Sequence, residues 1–600
     1  MQIQHSPSQE IGVPIPNIPH AVSVTLPTWE ATVGYEEGED WVVSKMHSGY
    51  PRFFIHPIIQ DLAQRVEHKY GRDGERCMIF PSYKVAKRCR EFIKSKTKNN
   101  KVNIRVLQLC TPAPVSDEEK STIIASNIGV VFFPACEYPL AKNYWQHSGE
   151  GISSRMGEYI LKELFENERN GSAGGRRTIS RSSNGNMKSE LQSQKIQSRS
   201  PSIAAARGGS QSNGTSNGEV VDKEFSTFIE QKYGRVLDLM FTQGAKSALR
   251  RRIGGKVDKS KNQIEEMEKA RRGKFLSETD VYLFPSGMAS IFFAHYSLLQ
   301  TSPEPKKKSV CFGFPYVDTL NILKKFGPGV YFYGLGDDNS LDQLEQSLEA
   351  GEIDIMALFC ECPSNPLLKT PDLARIRKLA DKYKFAVVID ETVGNFLNIR
   401  VLPYADIVCS SLTKVFSGDS NVLAGSLILN PVSTYYPVLK KFFNEEYEDL
   451  FWAEDALWLE RNSRDFVQRV HKIDNTAEQV VDLLNNSQFI SRVYYPSLSE
   501  SKKYYDAIKN VDGGYGGLIS FLFEDPDNAV KFFNAVNLHK GPSLGTNFTL
   551  ACPYAILAHY QELEEIAQWE VDRNLIRISI GLEDPGELLK VLQNSLDQCK

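Results

Sequence analysis

Apolar positions recur along this chain in two patterns, one of helical period and one of short unbroken runs. Near the start, Ile58, Ile59, Leu62 and Val66 fall at helical spacing, so the stretch after Tyr50 predicts an amphipathic helix. The runs CMIF (77–80) and IGVVFFPA (128–135) predict buried strands. From about residue 223 onward, apolar runs alternate regularly with amphipathic stretches. VYLF (281–284), SVCF (309–312), VYFYG (330–334), DIMALF (354–359), FAVVID (385–390), DIVCS (406–410) and GSLILN (425–430) predict strands. Between them, PDLARIRKLADKYK puts Leu373, Ile376, Leu379 and Tyr383 on one stripe, with Pro371 suited to a first helical turn. Continuously apolar strands alternating with helices predict an α/β fold, a mainly parallel sheet covered on both faces. Ligands in such sheets sit at the carboxyl ends of the strands.

Composition breaks this pattern once. Residues 167–217 are rich in Ser, Gly, Asn and Arg and contain no aromatic residue. Such a stretch buries too little apolar surface to offset its ordering entropy, so 167–222 is expected to be a disordered linker. It divides an N-terminal segment, 1–166, from a strand–helix region, 223–430, and a C-terminal portion, 431–600. A net charge of −4 argues against a general nucleic-acid binder. Ten cysteines in 600 residues, with no Cys-x-x-Cys pair, favour neither a disulfide scaffold nor structural zinc. The ten histidines show no metal-ligand spacing, so no metal is expected. The first residues carry no charged and apolar leader, and no run approaches 18 apolar residues. A cytoplasmic protein is expected, open to nuclear entry.

Three clusters carry candidate chemistry. Phe284-Pro285-Ser286-Gly287-Met288-Ala289-Ser290 joins a strand to a helix, whose free N-terminal amides suit a phosphate; an ordinary strand-to-helix turn reads the same way. Asp390 ends an apolar strand, where an acid either caps a helix or holds a pyridinium nitrogen protonated. Ser410-Ser411-Leu412-Thr413-Lys414 follows another strand and offers hydroxyls beside an amine. A lysine there is either a solvated loop charge or the group that carries the aldehyde of pyridoxal phosphate (PLP). A phosphate turn, an Asp strand and a hydroxyl–Lys strand, in that order, are what a PLP site requires.

With these motifs the region from about 223 to 600 resembles the Cys/Met-metabolism family of PLP enzymes. The resemblance implies a type I aminotransferase-like fold, with a large PLP domain to about residue 430 and a smaller α+β domain beyond. It implies phosphate binding by Gly287, Met288, Ser411 and Thr413, stacking of Tyr316 on the cofactor ring, and pairing of Asp390 with the ring nitrogen. Lys414 would be the catalytic, cofactor-carrying lysine. Within Glu361-Cys362-Pro363-Ser364-Asn365-Pro366, Asn365 would lie near substrate. Ser543-Leu544-Gly545 and Ile576-Arg577-Ile578-Ser579 resemble substrate-side motifs, with Ser543 near substrate and Arg577 clamping an α-carboxylate. HAVSVTLPTWEATVGYEEGE, GYPRFFIH and FPSYKVAKRCREFI resemble the N-terminal extension of fungal cystathionine γ-synthases. That narrows the implied reaction to joining an O-acetyl- or O-succinylhomoserine to cysteine to give cystathionine. Direct sulfhydrylation, cystathionine lysis and a non-catalytic relative stay open as alternatives. A homodimer or homotetramer acting on small molecules is implied, without nucleic acid or membrane.

The chain also departs from that family. A Tyr-Ser-Arg, which in the family reaches a neighbouring subunit's phosphate site, is replaced at the expected place by Glu230-Gln231-Lys232-Tyr233-Gly234-Arg235. The usual Asp-Asn-Thr is Asp390-Glu391-Thr392. Yet Tyr50-Pro51-Arg52 begins an order of Tyr-x-Arg, helix, strand, Phe-Pro-Ser turn, helix, which the later FPSGMA segment echoes. The extension therefore reads as an imperfect copy of the opening of the catalytic half, with Tyr50 and Arg52 expected to supply the missing contact; chance similarity of short strings is the alternative.

Overall fold

A computed structural model describes residues 7–51, 53–98, 102–116, 118–166, 238–257 and 276–599. The predicted linker, Arg52 and residues 230–235 lie outside the described residues. Met1–Glu163 and Leu237–Lys600 form one compact unit, which holds every feature described below.

The chain opens with the short pair β1 (Pro14–Ile15) and β2 (Ser23–Val24), then helices α1 (Trp29–Glu37) and α2 (Asp40–Val43). Next come α3 (Pro57–Tyr70), β3 (Glu75–Phe80), α4 (Tyr83–Lys96), β4 (Arg105–Cys110), β5 (Asn127–Pro134), α5 (Tyr138–Ser148) and α6 (Ser154–Leu161). The strands form an antiparallel sheet in the order β3-β5-β4. In α3, Leu62 and Val66 are buried as the spacing predicts, while Ile58 and Ile59 are half-buried. The runs CMIF and IGVVFFPA are the buried strands β3 and β5.

The second half begins with α7 (Thr242–Val257), β6 (Val281–Phe284) and α8 (Gly287–Thr301). There follow β7 (Lys308–Phe312), α9 (Val317–Lys325), β8 (Val330–Tyr333), α10 (Asp338–Glu349), β9 (Ile355–Glu361), α11 (Leu373–Tyr383), β10 (Ala386–Asp390), β11 (Ile407–Ser411) and β12 (Gly425–Leu429). Seven strands order as β6-β12-β11-β10-β9-β7-β8, all parallel except β12, which runs against both neighbours. The unbroken apolar runs are explained by burial on two sides. Val387 and Ile389 join one core cluster, while Ala386 and Val388 point into another. Pro371 does not enter α11: Asp372 caps that helix by accepting from Arg375 N, which leaves the proline one residue outside.

Helices α12 (Tyr436–Glu446), α13 (Ala453–Asn462) and α14 (Phe466–Asn485) lead to a second sheet. Its strands are β13 (Ile490–Tyr494), β14 (Leu518–Phe523), β15 (His539–Lys540), β16 (Leu550–Pro553) and β17 (Ile576–Ser579), ordered β13-β14-β17-β16-β15. The N-terminal segment is stitched to this second half. Val22 N donates to Ser420 O and Leu26 N to Lys540 O. Gly541 lies so close to Val24 O that a Cβ would sit 2.3 Å from it.

Candidate active site

The carboxyl ends of the parallel strands and one edge of the C-terminal sheet open into a single cavity. Lys414, Asp390, Tyr316, Asn365 and Arg577 all line it. Residues separated by 261 positions in the chain are therefore brought to one place, as the order of the motifs predicts.

At one end, Ser286 caps α8 by accepting from Ala289 N at 3.0 Å. The first helical amides, those of Gly287 and Met288, have no partner in the helix, and both residues line the cavity. Gly287 packs so tightly on Ser411 that a Cβ would lie 2.6 Å from that residue's Cβ. Glycine is thus the residue that lets the turn close on the strand end. Ser411 and Thr413 both line the cavity wall, but they differ. The Thr413 hydroxyl donates to Ala424 O and accepts from Ala424 N, at 3.3 and 3.0 Å, so its proton is already committed. Ser411 is held through its backbone, by Ser411 N donating to Thr392 Oγ1 at 2.8 Å. Two free amides, a hydroxyl and the positive end of a fifteen-residue helix make an anion cradle that fits a phosphate.

Asp390 ends β10 with its carboxylate turned into the cavity. Thr392 pins Oδ1 with its backbone N–H at 2.9 Å and its hydroxyl at 2.6 Å. Burial pushes the carboxyl above its ordinary range, against the pull of those two bonds. A cationic ring nitrogen placed there would reverse that shift, so the acid fits a pyridinium. Beside it, fully buried Glu361 accepts from Tyr316 N at 3.0 Å and Asn365 N at 3.2 Å. Its carboxyl is raised well above the usual range, by burial first and by Asp390 second. Glu361 was not singled out from the sequence; it fixes the backbone of two cavity residues at once.

Arg577, on β17, is 4% exposed. It donates to Asn365 Oδ1 at 3.1 Å, to Pro542 O at 3.0 Å and to Ser543 O at 3.1 Å, with its guanidinium over the Tyr554 ring. Ser543 meets Arg577 through its carbonyl, and its neighbours Pro542 and Leu544 line the cavity. Lys414 is 8% exposed and backed by Gly545, where φ is +69° and a Cβ would stand 2.5 Å from Val415 N. Its Nζ donates to Tyr50 Oη at 3.0 Å. Tyr50, expected with Arg52 to supply a phosphate contact, lines the cavity with its hydroxyl on Lys414.

What the sequence did not suggest is how much of the wall comes from the first 160 residues. His20, Phe53, Trp145, Gly149, Ile152 and Arg155 all line the same cavity. Arg155 donates to Asp455 Oδ1 at 2.9 Å and to Asn421 O at 2.7 Å, both buried. Among the described residues no cluster of His, Cys, Asp or Glu has the arrangement of a metal site, and no helix is long and apolar enough to cross a membrane.

A sheet of this topology with an anion cradle, a buried acid at a strand end and a cavity lysine has the arrangement of a fold-type I PLP site. Residues 225–597 match the description of the Cys/Met metabolism PLP-dependent enzymes, and 58–153 match the N-terminal domain of fungal trans-sulfuration enzymes. The chain belongs to the Cys/Met metabolism PLP-dependent enzyme family. It is similar to "Cystathionine gamma-synthase" of Saccharomyces cerevisiae, 45% identical with 99% of each chain covered. The same name is carried by a Neurospora crassa relative, 46% identical with 98% of each covered. A cystathionine gamma synthase structure from Xanthomonas oryzae aligns with 54% of this chain and 84% of its own, at 25% identity and a TM-score of 0.47.

Proposed function

We propose that this chain catalyses γ-replacement, joining an O-acylhomoserine to L-cysteine to give L-cystathionine and a free carboxylic acid. One observation carries the reading: Lys414 Nζ, the Asp390 carboxylate and the buried Arg577–Asn365 pair face one cavity whose far end is a phosphate cradle. Identity of 45% and 46% to fungal proteins bearing the synthase name, over nearly the whole chain, supports this reaction.

Pyridoxal phosphate, when bound, would supply an electron sink for negative charge at the substrate α carbon. Gly287 and Met288 amides and the Ser411 hydroxyl would hold its phosphate, and Asp390 would face its ring nitrogen. Arg577, held in place by Asn365 and two backbone carbonyls, would hold the substrate carboxylate through its charge and its remaining N–H groups. Lys414 would move the protons of the substrate Cα and Cβ one at a time, as a general base on a flexible stem that releases the first before it takes the second. Tyr50, accepting from Nζ, would aim the amine between these positions. The acyloxy group leaves from Cγ as a carboxylate, the cysteine sulfur bonds to Cγ as its S–H proton passes to that carboxylate, and Lys414 returns the protons to Cβ and Cα.

The test is product analysis. PLP-loaded protein incubated with cysteine and either O-acetyl- or O-succinylhomoserine is expected to form cystathionine, detected by mass spectrometry, while Lys414→Ala forms none. The better ester names the substrate. PLP-bound protein that releases carboxylic acid or sulfide without cystathionine would overturn the reading.

A further inference from the structure

The N-terminal half repeats the catalytic half far beyond the opening motif. Each half runs helix, strand, Phe-Pro-Ser turn, helix: α3, β3, Ser82, α4 in the first and α7, β6, Ser286, α8 in the second. The two serines share one conformation, φ −150° and ψ 162° at Ser82 against φ −154° and ψ 161° at Ser286. Each caps its helix from the same position, accepting from Val85 N and Ala289 N. Each half then sets an antiparallel strand, β5 or β12, beside the first. Its glycine pairs with the phenylalanine of the turn, Gly129 with Phe80 and Gly425 with Phe284. A Cβ on either glycine would lie 2.2 Å from the serine carbonyl, Ser82 O or Ser286 O. On the other side the same glycines pair antiparallel with β4 at Gln108 and with β11 at Ser411. After the strand, each half builds an eleven-residue helix beginning Tyr-Pro, α5 and α12. Another helix follows, α6 or α13, and α3 packs on α6 and β3 as α7 packs on α13 and β6. A chance string match does not reproduce seven elements, two registers and two steric contacts.

The first copy has lost the chemistry. Among the described residues it has no equivalent of β7 to β10, hence no counterpart of Asp390 or Tyr316. By register Gln108 stands for Ser411, so Thr111 stands for Lys414, and its hydroxyl is spent on the Ile124 and Ser126 backbone. The Gly287-Met288 cradle is Tyr83-Lys84, with Ser82 Oγ donating to Glu448 at 2.9 Å.

The copies also pack reciprocally. Ser286 Oγ donates to Gly149 O, in the loop after α5; Ser82 Oγ donates to Glu448, in the loop after α12. Arg155 of α6 pairs with Asp455 of α13. Contacts of one element with another that are returned by their counterparts are the pattern of a two-fold interface between like subunits, kept here at the level of elements. Here both units lie in one chain, and the first lends Tyr50 to the lysine of the second.

We infer that the N-terminal half is an internal, degenerate partner subunit that completes the PLP site in cis, so that each chain holds a whole site. The inference rests on the cofactor reading above. It assigns Tyr50 to the lysine of its own chain and makes an oligomer of whole chains unnecessary for the site.

The test is complementation. Full-length Tyr50→Ala and Lys414→Ala chains, each with a different tag, are co-expressed, and mixed particles are isolated by sequential capture. Cofactor affinity and visible absorbance are read by titration with PLP, and cystathionine formation is read in parallel. The expected result is a Tyr50→Ala protein impaired in cofactor affinity or absorbance, with no recovery in mixed particles. If no mixed particle forms because wild-type chains sediment as active monomers, the inference also stands. Recovery of wild-type cofactor behaviour in about half the sites of each mixed dimer would show supply in trans and overturn it. Tyr50→Ala protein that binds PLP and turns over as the wild type does would overturn it too. Because the spectral readout needs no turnover, failure of the synthase reaction and failure of cis completion are separable.

Discussion

Tyr50 Oη accepts a hydrogen bond from Lys414 Nζ at 3.0 Å across 364 positions of sequence, and the same ammonium lies 5.0 Å from the centre of the tyrosine ring. The phenol and the ring act on Lys414 differently, and one substitution separates them. Tyr50→Phe keeps the ring and removes the bond. A hydrogen bond to a charged donor is worth about 1.5–3 kcal/mol, so kcat is expected to fall roughly 10- to 100-fold with little change in melting temperature. Steady-state kinetics beside a thermal melt decide it; unchanged kcat would remove Tyr50 from the proton-transfer machinery.

Arg577 makes three hydrogen bonds to the protein and keeps the rest of its fork for a ligand. Lys at this position keeps the charge but offers a point donor in place of a planar pair. Arg577→Lys is expected to raise KM for the acylhomoserine by roughly 10- to 100-fold, the equivalent of one to two tenfold steps at 1.4 kcal/mol each. Loss of the brace to Asn365 and to Ser543 O would also lower kcat. A substitution that changed kcat alone would place the substrate carboxylate elsewhere.

Much of this was legible in the sequence, and the parts that were not share a cause. Asp390, Lys414 and Gly287 could be found because each sits at the end of an apolar run, where strand period and local chemistry agree. That Ser543 meets Arg577 through its carbonyl and that the Thr413 hydroxyl is bonded to Ala424 were not legible, because a side chain's type does not say whether its backbone makes the contact or its hydroxyl is already taken. Glu361 was passed over although it stood in a quoted motif, since its role is to bind two amides and only the folded backbone shows them. Arg155 and Asp455 are 300 positions apart, on helices with no local signal of pairing. The internal copy was visible only at its opening, because β4, β5, α5 and α6 preserve register and caps while their sequences have drifted.

Glu391 gives a stability prediction tied to pH. It is 1% exposed, its Oε2 has no partner, and burial holds its carboxyl well above the ordinary range, with Asp390 adding to the shift. A group whose folded pKa is raised stabilises the fold below its unfolded value, about 4.3 for a glutamate, and that contribution is lost as pH rises through the folded value. Stability of the wild type is therefore expected to decline with rising pH above that lower limit. Glu391→Gln keeps the acceptor for the Phe396 amide and removes the ionisation. Its melting temperature is expected to exceed that of the wild type at neutral pH and to match it near pH 4, with the slope between them reduced. Parallel melts across pH test this; equal slopes would mean that Glu391 is solvated or paired in solution.

Gly287 offers the sharpest test of the phosphate cradle. Its φ is that of an ordinary helix start, so alanine brings no backbone strain and even favours the helix by about 1 kcal/mol. The obstacle is space: the added Cβ would lie 2.6 Å from Ser411 Cβ, 2.8 Å from its Cα and 2.9 Å from its Oγ. None of these is the far end of a flexible side chain, so either β11 or the start of α8 must move. Gly425 restricts the escape, because its own Cα region already lies against Ser286 O and Gly287 Cα. The cradle must then open between its amides and Ser411, while Lys414, Asp390 and Arg577 stay in place. Gly287→Ala is expected to weaken PLP binding at least tenfold, equivalent to about 1.4 kcal/mol, with the protein still folded and activity partly restored at high PLP. Equilibrium dialysis against PLP at fixed protein concentration measures it. Wild-type affinity in this variant would mean that the phosphate does not sit between α8 and Ser411, and the assignment of both would fall together.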